Sequence, residues 1–388
     1  MSEYHHLNER QAVLALWYVV NTSLTAYYKL YDAFGSAKSA LCQPVQVWQT
    51  LKVHSSHQKR HADGPDVLAF LAKIDEQVGY GAYQLVFCGD DAYPDSLNAI
   101  YDPPPVLFCR GDVARLKNKQ LAIVGSRNPT DHAQKLTFDL AQYLAHHDYT
   151  ITSGLAGGID KMAHLGALSV GKGQTVGVLG TGIDVCYPKN HHALYAQIIN
   201  DGGCLVSELL PATPATKHTF PRRNRLVAGL SLATIVTEAT IQSGSLITAR
   251  LTAEQGKQVF AVPSRIDNIN AEGCHHLIRE GATLIYHPNH VLEDIAGSVP
   301  EFTALPKTFS RGVSAFDELN LTDTATGTTK TPIPEHLAFM MTALGSETCD
   351  LDKLIMRTNR PAGELLAVLL ELEMLGHVAN VGGRFAVI

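Results

Sequence analysis

The chain has few charged residues and lacks any long apolar run. Charged side chains make up 18% of its 388 residues and hydrophobic ones 45%. This composition can bury a sizeable core and excludes a disordered chain. No apolar run approaches the ~20 residues that a membrane-spanning helix needs, and the N-terminus lacks the basic, apolar and small-residue series of a secretion signal. We therefore expect a cytoplasmic protein without a membrane span, built of two or three domains.

Disulfide and metal patterns are also missing. The seven cysteines are widely spaced and form no C-x-x-C pair, so we expect reduced thiols and not a disulfide framework or a zinc knuckle. None of the 18 histidines stands in a zinc-protease pattern with a glutamate. The sequence therefore predicts no metal.

The common nucleotide-binding motifs are absent as well. There is no GxxxxGK[ST] sequence, and the stretch GSRNPTDH is not GxGxxG. No acid ends the following strand, where a ribose hydroxyl would need one. A bound dinucleotide is therefore not favoured, and we predict no cofactor.

A series of apolar runs of strand length fills the middle of the chain from Val106 onward. The runs are nearly continuous, which indicates burial on both faces, and helix-like segments separate them, as in right-handed β-α-β units. They read VLFCR, LAIVGS, YTITSG, TVGVLG, GCLVSE, LATIVTE, QVFAVPS and ATLIY. We predict an α/β domain over 86–297, with a doubly wound parallel sheet.

Three further segments flank this domain. Residues 1–85 carry short amphipathic patterns, including Gln11–Val20 and Leu24–Phe34, and predict a small helical domain. Residues 298–331 are rich in Thr, Ser and Pro and predict a linker. Residues 332–388 predict three helices and a hairpin with its turn at Gly382-Gly383, which together make a winged helix.

Small and polar residues follow the predicted strands. Ligands of open parallel sheets bind outside the carboxyl ends of the strands, and glycines there let backbone N–H groups approach an anion. Several such loops on one sheet edge predict a long anion-binding rim. This predicted rim comprises Gly125, Ser126, Ser153, Gly154, Gly157, Gly158, Gly180, Gly182, Ser243, Gly244 and Ser245.

Basic residues fall on the same predicted rim. Arg222, Arg223 and Arg225 crowd into HTFPRRNRLVAG, although the whole chain has a net charge of −6. A solvated surface is a poor explanation, because the run passes directly into buried sequence through a helix that we expect to begin near Asn224. The three arginines instead predict a local phosphate-binding pocket.

Several basic loops in series suit a chain of phosphates. Arg127 follows the first strand of the rim and Lys189 follows the third. Single strands of nucleic acid also need surfaces on which bases stack, and Tyr187, Phe220 and His192 are available beside the basic residues. The predicted ligand is a polynucleotide backbone, with His192 among the contacts.

At these residues the sequence resembles the DprA/Smf family of DNA-processing proteins. The matching pieces occur in family order over about 106–297, and they are LAIVGSR, TSGLAGGID, TVGVLGTGIDVCYP, LVSELLP, FPRRNRLVAGLS, VTEATIQSGSLITA, VFAVPS and EGCHHLIREGATLI. The resemblance implies a Rossmann-like core with an N-terminal sterile-alpha-motif-like (SAM-like) domain and a C-terminal winged helix. It further implies that the protein binds and protects incoming single-stranded DNA, helps load RecA during natural transformation, forms a homodimer and catalyses no reaction.

The family pattern also assigns positions. Arg127 stands at its GSR arginine and Lys189 at its YP-x basic position, both expected DNA contacts, and the FPRRNR arginines occupy its FPxRNR positions. Two residues depart from the pattern. Ser264 replaces the usual glycine after VP, which we expect to alter a loop, and His191 replaces a frequent asparagine, which we expect to alter a stacking or phosphate contact.

Two other functions stay open from the sequence. Glu238, ahead of SGSLIT, suits a nucleotide or nucleoside-phosphate hydrolase on a Rossmann-like fold, although QSGSLIT replaces the PGGxGT loop of such enzymes. A sequence-specific regulator would use the winged helix, but residues 332–388 hold four basic and seven acidic side chains, a net charge of −3. Surfaces that face phosphate are normally basic, so we expect this unit to bind protein or to pack.

The segment CHHLIREGATLI predicts the dimer contact. It mixes apolar and polar residues late in the α/β domain, where the last strand is expected to form a sheet edge. Edge strands and their helices are natural sites for two-fold contacts. We expect His276, Leu277 and Ile278 to contribute to the interface.

Overall fold

The computed structural model describes residues 3–298, 337–344, 349–358, 360, 365, 368–369, 372, 377–381 and 384–387. The chain divides into two compact units, Met1–Thr303 and Ala304–Ile388. The predicted linker lies outside the described residues from 299 onward. The domain boundary predicted at residue 85 stays a prediction, because the helices before it and the sheet after it belong to the same compact unit.

Six helices come first, and local sequence explains where several of them begin. Asn8 caps the first helix in a capping box with Gln11, and the side chains of Ser23 and Asp63 accept backbone N–H groups at two later starts. Both helices predicted near the N-terminus are confirmed. The six are α1 (Glu9–Val19), α2 (Leu24–Phe34), α3 (Ala37–Leu41), α4 (Val45–Thr50), α5 (Ser55–Ala62) and α6 (Gly64–Gly79).

A nine-stranded sheet follows, in the order β1-β2-β6-β5-β4-β3-β7-β8-β9. All eight strands predicted from the apolar runs are present, while β1 was missed because its outer residues are not buried. The strands are β1 (Gln84–Phe87), β2 (Val106–Gly111), β3 (Gln120–Val124), β4 (Thr150–Ser153), β5 (Thr175–Val178), β6 (Cys204–Ser207), β7 (Ala233–Val236), β8 (Gln258–Ala261) and β9 (Thr283–Leu284).

The sheet is parallel from β3 to β9, but β2 pairs antiparallel with both β1 and β6. The predicted doubly wound parallel sheet is therefore confirmed, with β2 as the one described strand of this sheet that runs in the opposite direction. Only residues 112–119 join β2 to β3, with a short 3-10 helix at Val113–Lys117. A connection of that length cannot carry the chain back to the other end of the sheet, as a parallel crossover requires.

Helices cover both faces of the sheet, as continuous apolar strands predict. Every residue of β3, β4, β5, β6 and β7 is buried. The covering helices are α7 (Asp95–Asn98), α8 (Asp131–His146), α9 (Ile159–Leu168), α10 (His192–Asn200), α11 (Thr219–Leu230), α12 (Ser245–Glu254), α13 (Glu272–Arg279) and α14 (Pro288–Ser298). Among helices of the described residues, none is long and apolar enough to cross a membrane.

The N-terminal helices share a hydrophobic core with the sheet. Trp17 of α1 and Leu30 of α2 are fully buried in the same cluster as Phe108 of β2 and Leu205 of β6. The indole N–H of Trp17 also donates to the backbone oxygen of Glu208, which directly follows β6. The helical segment is therefore packed onto the sheet.

The second unit contains helices Ala338–Leu344 and Leu351–Thr358 and a small sheet. Strands β11 (Val378–Val381) and β12 (Arg384–Val387) form the predicted hairpin, and β10 (Cys349–Asp350) pairs with β12. The predicted turn at residues 382–383 lies outside the described residues, as does most of the predicted third helix. The buried side chains that form the core of this unit are Leu337, Met340, Leu344, Leu354, Leu365, Leu369, Leu372, Val378 and Phe385.

Candidate nucleic-acid interface

Two adjoining cavities form a cleft at the carboxyl edge of the parallel strands. The larger has a volume of about 840 Å³ and the smaller about 220 Å³, and Arg127, Phe220 and Arg223 line both. The loops after β3, β4 and β7 contribute to the larger cavity. Since β3 lies between β4 and β7, the cleft stands where strand order reverses, the usual ligand position in open α/β sheets.

Glu238 holds the loop after β3. Its backbone oxygen accepts the N–H of Ser126 at 2.7 Å, and its carboxylate accepts the N–H of Thr130 at 2.9 Å and the hydroxyl of Thr130 at 2.7 Å. Glu238 is 2% exposed. Because this carboxylate is engaged within the fold, it positions the loop and leaves Arg127 exposed at the cleft.

Asp160 holds the loop after β4 in a similar way. Its carboxylate accepts the backbone N–H groups of Gly154 at 3.1 Å and Ala156 at 3.3 Å. Burial raises the pKa of Asp160, an effect that the neighbouring Arg223 guanidinium opposes. The sequence predicted that N–H groups of this loop face an anion. For these two the prediction was wrong, because Asp160 already accepts them.

The glycines of this loop have different roles. Gly158 has a φ of +74°, and a Cβ there would lie 2.3 Å from the backbone oxygen of Ser126. A Cβ on Gly154 would lie 2.5 Å from the guanidinium of Arg223, whereas the nearest atom to a Cβ on Gly157 would be 3.7 Å away. Gly158 is thus required by its backbone conformation and by packing against backbone, a Cβ on Gly154 would displace the Arg223 guanidinium, and a Cβ on Gly157 would make only ordinary van der Waals contact.

Arg223 is buried under the cleft. Its guanidinium donates to the backbone oxygens of Gly154 and Val178, and it lines both cavities. Burial lowers its pKa, while the negative charge of Asp160 raises it. Arg223 therefore contributes positive charge to the floor of the cleft while it joins the ends of β4 and β5.

Arg222 and Arg225 are bound to Glu208. The Nε of Arg222 donates to one carboxylate oxygen of Glu208 at 2.9 Å, and Arg225 donates to the other oxygen. Arg225 also donates to the backbone oxygen of Asp102 at 2.8 Å. The sequence predicted that the three arginines form one phosphate-binding pocket. This prediction was wrong. The arginines lie inside a helix that begins at Thr219, not near Asn224, so that Arg222 and Arg225 share one face and Arg223 lies on another.

Exposed cations and aromatic rings surround the opening of the cleft. The guanidinium of Arg127 lies 5.8 Å from the ring centre of Phe220, whose ring is 5.2 Å from that of Tyr187. Lys217 is exposed and lines the larger cavity. Asp160 is the one acid among the lining residues, so the cleft carries net positive charge.

The structure brings together part of the predicted rim. Ten predicted residues line the cleft, and seven do not. The lining residues are Gly125, Ser126, Arg127, Gly154, Gly157, Gly180, Arg223, Ser243, Gly244 and Ser245. The remaining seven are Ser153, Gly158, Gly182, Lys189, His192, Arg222 and Arg225; of these, Lys189 and His192 are exposed, just beyond lining residues Tyr187 and Pro188.

Sequence reasoning missed Lys217 and Asn128 as lining residues. Lys217 stands directly before the HTFPRRNR stretch. Its position just ahead of a helix that begins beside the cleft could have predicted that it lines the cleft. Nothing in the local sequence marks Asn128, which reaches the cleft only because Glu238 fixes its loop.

The two departures from the family pattern lie in different environments. His191 is 4% exposed, and its Nδ1 lies 3.1 Å from the backbone oxygen of Leu155, so this histidine packs under the loop after β4. That position corrects the expectation that it touches a base or a phosphate. Ser264 is exposed, and its N–H donates to His275 at 3.2 Å.

The predicted dimer contact lies beside an edge of the sheet. Strand β9 pairs only with β8 in the described part of the chain, which confirms the edge. His276 is exposed, but Leu277 and Ile278 are half-buried against the core. Leu284 and Tyr286 are the exposed apolar side chains of this edge, at 41% and 80% exposure.

Comparisons with known proteins place these features in a family. Residues 84–296 match the model of DNA recombination-mediator protein A, and residues 330–384 match that of the DprA winged helix domain. Protein Smf of Escherichia coli (strain K12) is 38% identical over 303 residues, which cover 78% of this chain and 77% of that protein. DNA processing protein DprA of Streptococcus pneumoniae is 44% identical over 205 residues, 53% of this chain and 72% of that protein.

Solved structures agree. The X-ray structure of DprA from Streptococcus pneumoniae matches with a TM-score of 0.64 and 32% identity, covering 76% of this chain and 99% of that chain. DprA from Helicobacter pylori, described for its single-stranded DNA binding mode, matches with a TM-score of 0.50 and 31% identity over 56% of this chain and 96% of that one. The chain therefore belongs to the DprA/Smf family of DNA recombination-mediator proteins.

Proposed function

We propose that this protein binds single-stranded DNA in the cleft and acts as a recombination mediator, helping to load RecA on incoming DNA during natural transformation. The observation that carries the proposal is the group of exposed cations and aromatic rings at the opening of the cleft. Phe220 lies between Arg127 and Tyr187 there, with a ring contact to each, and Lys217 lines the same cavity. Cations that attract the backbone, beside rings on which bases stack, are the elements of single-strand recognition.

The arrangement favours a single strand over a duplex. The rings of Tyr187 and Phe220 can stack only on bases whose faces are free, which paired and stacked duplex bases do not offer. Lys189 and His192, exposed beyond Tyr187, extend the proposed path along the surface. Phosphates would follow the cations, and bases would contact the rings.

We further propose that the protein is not an enzyme. The hydrolase alternative needs a free acid near the cleft, but both oxygens of Glu238 accept hydrogen bonds from Thr130, and Asp160 is buried with two backbone donors. Neither carboxylate is placed to activate water. Incubation with nucleoside monophosphates should release no free base, and base release would overturn this part of the proposal.

The partners belong to the same proposal. RecA is proposed as a partner because the chain belongs to a recombination-mediator family. A homodimer is proposed at the β9 edge, where Leu284 and Tyr286 are exposed beside His276, Leu277 and Ile278. Light scattering on the intact protein should give twice 42.0 kDa; a monomer at micromolar concentration would contradict the dimer.

A gel-shift series with single-stranded and duplex oligonucleotides over a range of salt concentrations tests the main proposal. We expect tighter binding to single strands of any sequence, with an affinity that falls steeply with salt because phosphate contacts release counterions. The regulator alternative predicts the reverse, namely sequence-dependent duplex binding by the winged helix. Preference of the intact protein for duplex DNA would overturn the assignment of function to the cleft.

A further inference from the structure

One buried carboxylate links the N-terminal helices to the helix that enters the cleft. Glu208 follows β6 directly and is 1% exposed. Its backbone oxygen accepts the indole N–H of Trp17 at 2.9 Å, while its carboxylate binds Arg222 and Arg225 of α11. The same residue thus contacts α1 through its backbone and α11 through its side chain.

Arg222 makes a second connection to the N-terminal segment. Its guanidinium lies 5.6 Å from the ring centre of Trp17, and its Nη1 donates to the hydroxyl of Thr22 at 3.0 Å. Arg225 pairs with Asp102 as well, at 3.5 Å. We call this set the Glu208 network; its members are Trp17, Thr22, Asp102, Glu208, Arg222 and Arg225.

The helix geometry places the network behind the cleft. Arg222 and Arg225 are three positions apart and share one face of α11, whereas Arg223 is turned by about 100° and lies under the cleft with its guanidinium on Gly154 and Val178. Phe220 and Lys217, which line the larger cavity, stand in or just before the first turn of the same helix. One face of α11 is therefore fixed to the N-terminal helices, and the residues next to it face the proposed DNA.

We infer that Glu208 and Trp17 are positioning residues for single-strand binding, so that the N-terminal helices set the placement of Lys217, Phe220 and Arg223 without contacting DNA. This inference rests on the proposed function of the cleft. The charges of the network balance, with two guanidinium groups and two carboxylates, so the network itself offers no surplus charge to a phosphate. Its effect on binding is indirect, through the position of α11.

The chain supplies a matched pair of variants. It contains two tryptophans, Trp17 and Trp48, both fully buried and both donating an indole N–H to a backbone oxygen. Trp48 donates to Ala40 at 3.0 Å, inside the N-terminal helices, and its ring stacks on that of His61 in α5. Trp17→Phe and Trp48→Phe each remove one buried indole N–H, but only Trp17→Phe removes a connection to Glu208.

The experiment measures the affinity of the full-length variants for an oligothymidylate, with a salt titration and a melting curve for each. We expect Trp17→Phe to weaken binding by up to about fivefold, the limit reached if the whole contribution of one intramolecular hydrogen bond is coupled to binding, and to lower the log–log salt slope as cations leave the phosphate path. Trp48→Phe should bind as the wild type does, even if it melts earlier. Equal affinities for both variants, or equal losses, would overturn the inference.

Two further measurements keep the test decisive. Tryptophan emission of Trp48→Phe, in which Trp17 is the remaining indole beside Arg222, should change when the oligothymidylate binds, whereas emission of Trp17→Phe should not. If Trp17→Phe does not fold, Thr22→Val removes the acceptor of Arg222 more gently and should show the same direction of change. Wild-type protein that binds no single strand would refute the proposed function instead, so the two failures are distinguishable.

Discussion

The exposed cations at the cleft and the arginines of α11 look alike in the sequence but lie in opposite environments. Arg127 and Lys217 are exposed at the cleft, whereas Arg223 and Arg225 are 5% and 9% exposed and donate to protein oxygens. Removal of a guanidinium that is buried and paired within the fold is destabilising, because its partner is left buried and unpaired. An exposed one is available for a ligand. Basic residues that cluster in sequence can therefore divide between two tasks.

The largest expected effect is a loss of folding stability when a buried arginine is removed. Arg225→Ala should lower the free energy of unfolding by about 3–5 kcal/mol, because it leaves the buried Glu208 carboxylate with one partner fewer. Arg265→Ala is the matched control, since the Arg265 side chain is 85% exposed in its ion pair with Asp267, and it should change stability by less than about 0.5 kcal/mol. Denaturant unfolding of both variants measures the difference. Equal stabilities would show that burial of Arg225 has no structural role.

Buried histidines should make stability depend on pH. Burial lowers the pKa of His164 to about 3, well below its unfolded value near 6.5. The unfolded state therefore binds the extra proton first, and stability present above pH 6.5 is lost as pH falls toward 3. For His164 alone the loss between pH 7 and pH 5 is about 2 kcal/mol.

Denaturant unfolding of wild type and His164→Gln across this pH range checks the expectation. The variant should be less stable at pH 7 but lose less on acidification. The difference between the two curves removes the contribution of Asp160, whose raised pKa acts in the opposite direction. Parallel curves for wild type and His164→Gln would contradict the assignment.

Two glycines of the loop after β4 allow the same comparison between a packed position and an open one to be made at the backbone. Gly158→Ala should destabilise the fold by about 1–3 kcal/mol, because its φ is +74° and its Cβ would meet the backbone of Ser126 and Arg127. Gly157→Ala has room and should stay within about 0.5 kcal/mol of wild type. Melting curves of the two variants measure their relative stabilities. If Gly157→Ala were the less stable variant, the described conformation of the loop would be wrong. Binding data on Gly157→Ala then test whether a strand approaches that position.

The sequence predicted most of the fold because the signals were local. Continuous apolar runs in Leu121–Val124 and Ile235–Val236 indicated buried parallel strands, and the Gly382-Gly383 pair indicated a hairpin. Strand β1 was missed because its first two residues are not buried. The antiparallel direction of β2 depends on the length of the connection to β3 and on pairing with β6, a segment that is distant in the sequence.

The site was predicted less well for the same reason. Arg127 and Gly154 were predicted from their positions after strand ends, and both line the cleft. The local sequence could not show that Glu208, 14 positions before Arg222, would bind two of the three arginines, or that Asp160 would accept the N–H groups of its own loop. An acid at the end of a strand can neutralise basic residues of a helix elsewhere, and only the three-dimensional structure reveals such a pair. Lys217 was passed over because the arginines beside it were more conspicuous.

The smallest effect on stability, and the clearest on binding, is expected at the exposed cations. Arg127→Ala and Lys217→Ala remove side chains that lie at the surface, so each should change the free energy of unfolding by less than about 0.5 kcal/mol. If each cation neutralises one phosphate of a single strand, each variant should lower the log–log salt slope by about 0.7, and the double variant by about twice that, for all sequences alike. Lys172→Ala, which removes an exposed cation paired with Asp148 and absent from the cleft lining, provides the control and should bind with an unchanged slope. A double variant that keeps the wild-type slope would show that the exposed cations do not contact DNA. The proposal that exposed basic residues bind the ligand would then be wrong, although the structural role of the buried ones would stand.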